Sequence, residues 1–418
     1  MEHLADNGEA KKLVITIETL QTKQDFETVF QLIPSLVAYP ELSFGFIPYL
    51  ASSTISVIEL LKKYGRISEL DEAEKIDEKK IKDIRAKIKT FDTQYATSIR
   101  IIRNIEYIQD QIFKKSNRIY CCITRKPHPN LGIYVDETDR IIGNTHYSYY
   151  VMQDTKIVSK RLDAIKKLYK ENPAYFSSKK NGQEAFRIAN DIGQIVGSIL
   201  SGLDDLFIES NPTVEDLNIH VFYSDVNTDH RDLFTQNTII DKSIFLYILH
   251  ILTSINFVLY VVNMCDKNDT GWWLKTNYMA YFYCVSRLRD LEKFYSGSCS
   301  NSQDLSDLFK ELSLKDENLL IKEFRNCIMH ASFSKDGIIL INNRYFDIKI
   351  PLFGLVETYF EGMSYSNFKL EIISRLSRIS NILSKWLGLS LSKTLIQDNS
   401  KRKRISVEEL RPDIVKPK

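Results

Sequence analysis

The segment "IKEFRNCIMHASFS", residues 321 to 334, sets three polar side chains, Arg325, Asn326 and His330, among apolar neighbours. An arginine presents a permanently charged planar fork that suits phosphate oxygens. A histidine titrates near neutral pH and moves a proton in either direction. An asparagine orients either of them by hydrogen bonding. Breaking an RNA backbone asks for three things: a group that takes the 2′-OH proton, one that holds the in-line phosphate, and one that protonates the leaving oxygen. These residue types cover those tasks with no metal. The sequence shows no acidic metal-binding cluster, and no cofactor is expected.

On a helix at about 100° per residue, Leu320, Phe324, Cys327, Ile328 and Ala331 gather into one apolar stripe. His330 then lies about 110° from the centre of that stripe. Asn326 lies about 150° away, and Arg325 about 110° away on the opposite flank. Met329 falls between the flanks and is expected to turn away from the core, which hints at a covered surface. The three polar groups therefore point out of their own core. One helix supplies one histidine, whereas a two-fold dimer would set two such helices face to face and supply two.

The elements that position this helix read as mainly helical. Helical patterns run at about 12 to 32 and 46 to 64, separated by proline-bearing stretches. A run from about 72 to 116 lacks Gly and Pro and keeps Ile81, Ile84, Ile88, Phe91, Tyr95, Ile102, Ile105 and Ile112 at coiled-coil spacing, with Ser98 and Gln109 at polar slots. It reads equally as a long helix packed within its own chain and as a self-association helix. Residues 118 to 151, with "RIYCCITR", "LGIYVDET" and "THYSYYVM", are rich in β-branched and aromatic residues and read as a small β insertion. Helices are expected at about 155 to 171 and 183 to 208, then a polar boundary stretch to about 235. Three strong helices follow, at 243 to 265, about 271 to 296 and about 303 to 332. "GIILINNRYFDIKIP" alternates like a two-strand hairpin turning at Asn342 and Asn343. Helices at about 351 to 362 and 366 to 387 close the fold. The implied domains are 1–117, a helical region with the long helix; 118–235, the β insertion plus helices; 236–392, a helical bundle with the hairpin; and 393–418, a charged flexible tail.

The 418 residues are 44% hydrophobic and 26% charged with a net charge of +2, an ordinary soluble composition that gives no global argument for nucleic acid. Six cysteines without a C-x-x-C pair fit a reduced, cytoplasmic setting. The N-terminus lacks the features of a signal peptide. Residues 243 to 265 carry no formal charge and are long enough to span a bilayer. Yet Ser243, Tyr247, His250 and Ser254 form a polar stripe at spacings of four, three and four, which predicts a buried bundle helix rather than a membrane span. "HRDLFTQN", residues 230 to 237, has the letters of a kinase catalytic loop, with Asp232 and Asn237 in the base and magnesium positions. No Gly-rich phosphate loop, strand lysine or D-F-G accompanies it, so a capped turn is expected there.

"RNCIMH", residues 325 to 330, resembles the R-x4-6-H signature of HEPN domains, including the polar residue that often follows the arginine. The resemblance covers roughly residues 240 to 390. It implies a helical bundle with the motif on an inner helix and a metal-independent endoribonuclease with a composite site between two protomers. Arg325 and His330 take the catalytic positions, and Asn326 the supporting one. It further implies an RNA substrate such as tRNA or mRNA, a homodimer through the motif helix and the long helix, and an antiviral or growth-arrest setting with an antitoxin or a phage-derived trigger. The competing expectation is a catalytically inactive HEPN-like scaffold or nucleic-acid-binding protein.

Overall fold

The computed structural model of the chain describes residues 7–38, 42–63, 78–91, 94–116, 130–152, 219–228, 241–265, 271–296, 303–314, 317–335, 338–389, 391 and 394–395. The expected "RIYCCITR" strand, the helices at 155 to 171 and 183 to 208, the "HRDLFTQN" turn and the tail beyond residue 395 lie outside them. The fold is mainly helical with a small antiparallel sheet.

At its centre lies helix α6 (Lys242–Phe257), which continues through a wider turn at Val258–Val262 into Asn263–Cys265. The Asp241 side chain starts it by accepting from the Ser243 N–H at 2.9 Å. A helix apolar all round must be covered all round. Here 94% of its most apolar stretch is buried inside the protein. Its neighbours are α4 (Tyr95–Ser116), α7 (Gly271–Ser296) and α11 (Tyr365–Leu387), together with strand β2 (Ile141–Asn144). The stripe along α6 is buried, and each member meets a distant partner. Ser243 accepts from Arg103 at 3.1 Å, the Tyr247 hydroxyl donates to the Arg287 carbonyl at 3.3 Å, His250 meets His146 at 2.6 Å, and Ser254 meets Thr90 at 3.3 Å.

The sheet runs β2–β1–β3–β6, all antiparallel, with β1 at Leu131–Val135, β3 at Phe222–Val226 and β6 at Thr394–Leu395. Strand β6 lies where a flexible tail was expected from residue 393, and β3 lies in the expected boundary stretch. β1 is buried along its whole length, as a strand covered on both faces must be.

Four further expectations need correction. "THYSYYVM" is helix α5 (Thr145–Met152), not a strand. Asn144 caps it, accepting from the Tyr147 N–H at 2.7 Å, and the cap with the surrounding packing overrides the β propensity of its residues. The long run is two helices, α3 (Glu78–Ala86) and α4, separated by a tight turn at Lys87–Lys89 and by Thr90 and Phe91, both left-handed. Distant side chains hold that bend: the Tyr150 hydroxyl accepts from Phe91 N–H at 2.8 Å, and Arg287 donates to the Phe91 carbonyl at 2.9 Å. The apolar positions from Ile81 to Ile105 are buried within the chain, including against α2 (Ser43–Lys63) and α6. Residues 303 to 332 likewise form two helices, α8 (Gln303–Leu312) and α9 (Lys322–His330). Tyr278 donates to the Leu319 carbonyl at 2.6 Å and Arg289 to the Leu314 carbonyl at 2.6 Å in the link between them. The hairpin pairs β4 (Ser334–Lys335) with β5 (Ile338–Ile339), earlier than expected. Asn342 does open a turn, its side chain accepting from the Arg344 N–H at 3.0 Å, but residues 343 to 350 form turns in place of the expected second strand. A short helix α10 (Leu355–Tyr359) then leads to α11.

Candidate functional site

Helix α9 carries the three candidate residues. It ends at Ala331, whose left-handed backbone returns its N–H to the Cys327 carbonyl, and the Ser332 N–H reaches the same carbonyl at 3.1 Å. This stop leaves His330 in the last helical turn. Phe324 anchors the inner face among Tyr278, Tyr359, Phe360 and Phe368. Phe324, Cys327 and Ile328 are buried as the wheel predicts.

Arg325 is half-buried. Its guanidinium lies over the rings of Phe282 and Tyr283 on α7, at 5.2 and 5.5 Å from their centroids. Its Nε is buried and has no hydrogen-bond partner. Asn326 is exposed. His330 is 41% exposed, and its Nδ1 lies 3.2 Å from the Glu59 Oε2 on α2. Because an ionised carboxylate only accepts, Nδ1 carries the proton of that bond and the neutral ring keeps its lone pair on Nε2. Arg325 and His330 are five residues apart, so they leave the helix about 140° apart. The structure accordingly gives them different neighbours, α7 and α2.

Met329 departs from the wheel. It is buried, with the Tyr283 hydroxyl 3.7 Å from its sulfur. The surface around it is indeed covered, and the cover comes from this chain: α7 and α2 both pack on α9.

Glu59 gave no signal in the sequence. It is one carboxylate in "VIELLKK" near the end of a helix over 250 residues away. Arg85 holds its other oxygen at 3.3 Å. Burial pushes the Glu59 carboxyl up, but the His330 hydrogen bond and the charges of Arg85, His330 and Lys82 outweigh it and leave the group below its ordinary value. A cavity of about 190 Å³ opens beside this pair, between α1 (Asn7–Ala38), α2 and the end of α9. It is lined by Glu18, Thr22, Ser56, Glu59, Leu60, Lys63, His330, Ala331 and Ser332. Arg325 and Asn326 are not part of that lining. Glu18 is nearly fully buried and holds Lys63 at 2.7 Å, and it also accepts from the Phe333 N–H at 3.1 Å. The Thr22 hydroxyl is buried without a partner.

A second titratable pair lies in the core. The Nδ1 of His146 on α5 is 2.6 Å from the Nε2 of His250 on α6, and His146 Nε2 is 3.1 Å from the Ile102 carbonyl. A carbonyl accepts only, so His146 is protonated on Nε2 and accepts on Nδ1; His250 must donate from its own Nε2. That leaves His250 Nδ1 as a buried acceptor with no partner. Phe91 stacks on His250 at 4.9 Å. Burial pushes His146 down to about 3 and His250 well below its ordinary value, so both rings are neutral. The sequence placed His250 on a polar stripe and gave no sign of His146 as its partner.

No known protein family matches the chain, and no curated protein or solved structure matches it. The resemblance therefore rests on Arg325 to His330 and on their helical setting.

Proposed function

We propose that the chain is a metal-independent endoribonuclease of HEPN type, acting in the cytoplasm in an antiviral or growth-arrest role. The observation that carries this reading is the state of Arg325. Its guanidinium makes no hydrogen bond or ion pair among the described residues, which leaves the charge of the fork for an incoming anion. The Phe282 and Tyr283 rings hold the fork in place without neutralising it. A phosphate oxygen is the acceptor that this fork suits. His330, on the same helix, keeps Nε2 for the 2′-OH proton, and exposed Asn326 is free to orient the phosphate.

The angle between the two flanks favours a composite site. Arg325 of one protomer and His330 of another converge more readily than the two within one helix, which fits a two-fold homodimer. RNA, with its 2′-OH, is the substrate, of the tRNA or mRNA kind, and an antitoxin or phage-derived trigger would control it. The second reading is a catalytically inactive scaffold or nucleic-acid-binding protein. The stacking of Arg325 and the hydrogen bond of His330 to Glu59 favour it, because both are also ordinary structural roles.

Purified protein incubated with an RNA panel in EDTA separates the two. The expected result is cleavage of RNA but not of the matching DNA, with His330→Ala and Arg325→Ala each lowering the rate by about 100-fold or more. Full activity in both variants removes these residues from the reaction. Dimerisation with no turnover on any RNA favours the scaffold.

A further inference from the structure

A proton acceptor needs a partner that fixes its ring, and for His330 the structure offers a residue from outside the motif. We propose that Glu59 is a positioning residue for His330, holding it as the Nδ1–H tautomer beside the cavity between α1, α2 and α9, and that this cavity receives the ribose of the nucleotide to be cleaved. The proposal rests on the ribonuclease reading.

His330 Nδ1 donates to Glu59 Oε2 at 3.2 Å, and Arg85 anchors the other Glu59 oxygen at 3.3 Å. The carboxylate is thus fixed from its far side before it meets the imidazole. A base whose second nitrogen is held by a fixed acceptor has one tautomer and one ring orientation, which is what a proton acceptor at Nε2 requires. Nε2 makes no hydrogen bond among the described residues. The side chain is exposed enough to meet a substrate.

The cavity fits an uncharged, hydroxyl-bearing group. Its two carboxylates are engaged: Glu18 by Lys63 and the Phe333 N–H, Glu59 by Arg85 and His330. Neither a free cation nor an anion is thereby favoured. Thr22, one of the lining residues, carries a buried hydroxyl that has no hydrogen-bond partner. At about 190 Å³ the space is below the roughly 300–1,000 Å³ of sites for drug-sized ligands. A single sugar is of that scale and chemistry. Phosphate binding stays with Arg325, which lies outside the cavity.

The test pairs nitrogen-15 spectra of the histidine rings with cleavage rates on the full chain. In the wild type, His330 should show the Nδ1–H tautomer in its neutral form. Glu59→Leu keeps side-chain bulk but removes the acceptor; it should mix the tautomers and lower kcat about tenfold with KM little changed. Glu59→Gln keeps an oxygen that accepts from Nδ1 and should restore the tautomer and most of kcat. Thr22→Val should raise KM for RNA several-fold without moving the tautomer. An unchanged tautomer, or unchanged kcat, in Glu59→Leu overturns the role of Glu59 while the ribonuclease reading stands. An unchanged KM in Thr22→Val overturns the cavity as the ribose site. A wild type that cleaves no RNA overturns the ribonuclease reading and this proposal with it.

Discussion

Two histidine pairings in this molecule look alike on paper and differ in kind. His330 meets Glu59 at 3.2 Å at the end of a helix, with its ring 41% exposed. His146 meets His250 at 2.6 Å in the centre of the fold, with both residues fully buried. In the first, a carboxylate takes one nitrogen and leaves the other to solvent. In the second, the hydrogen bonds run inward, from His250 to His146 to the Ile102 carbonyl, and no proton can be exchanged without opening the core. Burial thus decides whether a histidine serves the fold or is available for chemistry. The stacked Phe91 and the unpartnered Nδ1 of His250 fit a ring fixed by packing.

Acid separates the two pairings most strongly. Both core histidines have folded values pushed below the ordinary 6.5, His146 to about 3. Above about pH 6.5 both states are neutral and the stability is fully present. As pH falls, the unfolded chain binds protons that the folded core refuses, so stability is lost until the folded value is reached. At pH 5 this amounts to about 2 kcal/mol for His146, and His250 adds a loss of the same sign. Urea denaturation at pH 7 and pH 5 should show that loss. A flat profile would mean that the core pair takes up protons as freely as an exposed residue.

Substitution sharpens the same point at a somewhat smaller scale. His146→Leu leaves the His250 Nε2–H without its acceptor and removes the side-chain bond to the Ile102 carbonyl, and should cost about 3 kcal/mol. The double variant with His250→Leu should cost less than the two singles summed, because the partners leave together. His330→Ala should change stability by under about 1 kcal/mol, since its pair is partly solvated. A His330→Ala loss as large as that of His146→Leu would make both pairs structural.

The difference between the two sites also explains what the sequence could tell. The stripe Ser243, Tyr247, His250 and Ser254 was legible because a helix writes its faces at fixed spacing. Its partners, Arg103, Arg287, His146 and Thr90, were not, because they come from elements with no sequence relation to α6. The same holds for the bend at Thr90 and Phe91: no Gly or Pro marks it, and Tyr150 and Arg287 stabilise it from afar. At the candidate site, the flanks of Arg325, Asn326 and His330 were readable from angles alone. The burial of Met329 and the approach of Glu59 depend on α2 and α7 packing over α9, a tertiary fact.

The smallest effect concerns Glu59 and separates the two sites by pH window. Its carboxyl is held below the ordinary 4.5, so its stabilisation is present above that value and is lost as pH falls through the folded one. Glu59→Gln should therefore be less stable than the wild type by under about 1 kcal/mol at pH 7, with the gap closing below about pH 4. The core histidines begin to destabilise the fold near pH 6.5, well before this. Denaturation of wild type and variant at half-unit steps from pH 7.5 to 3.5 resolves the windows. A gap that already closes near pH 6.5 would place the titration on a histidine rather than on the carboxylate. Glu59 would then not be the fixed charge that orients His330, and the two pairings would fall into one class.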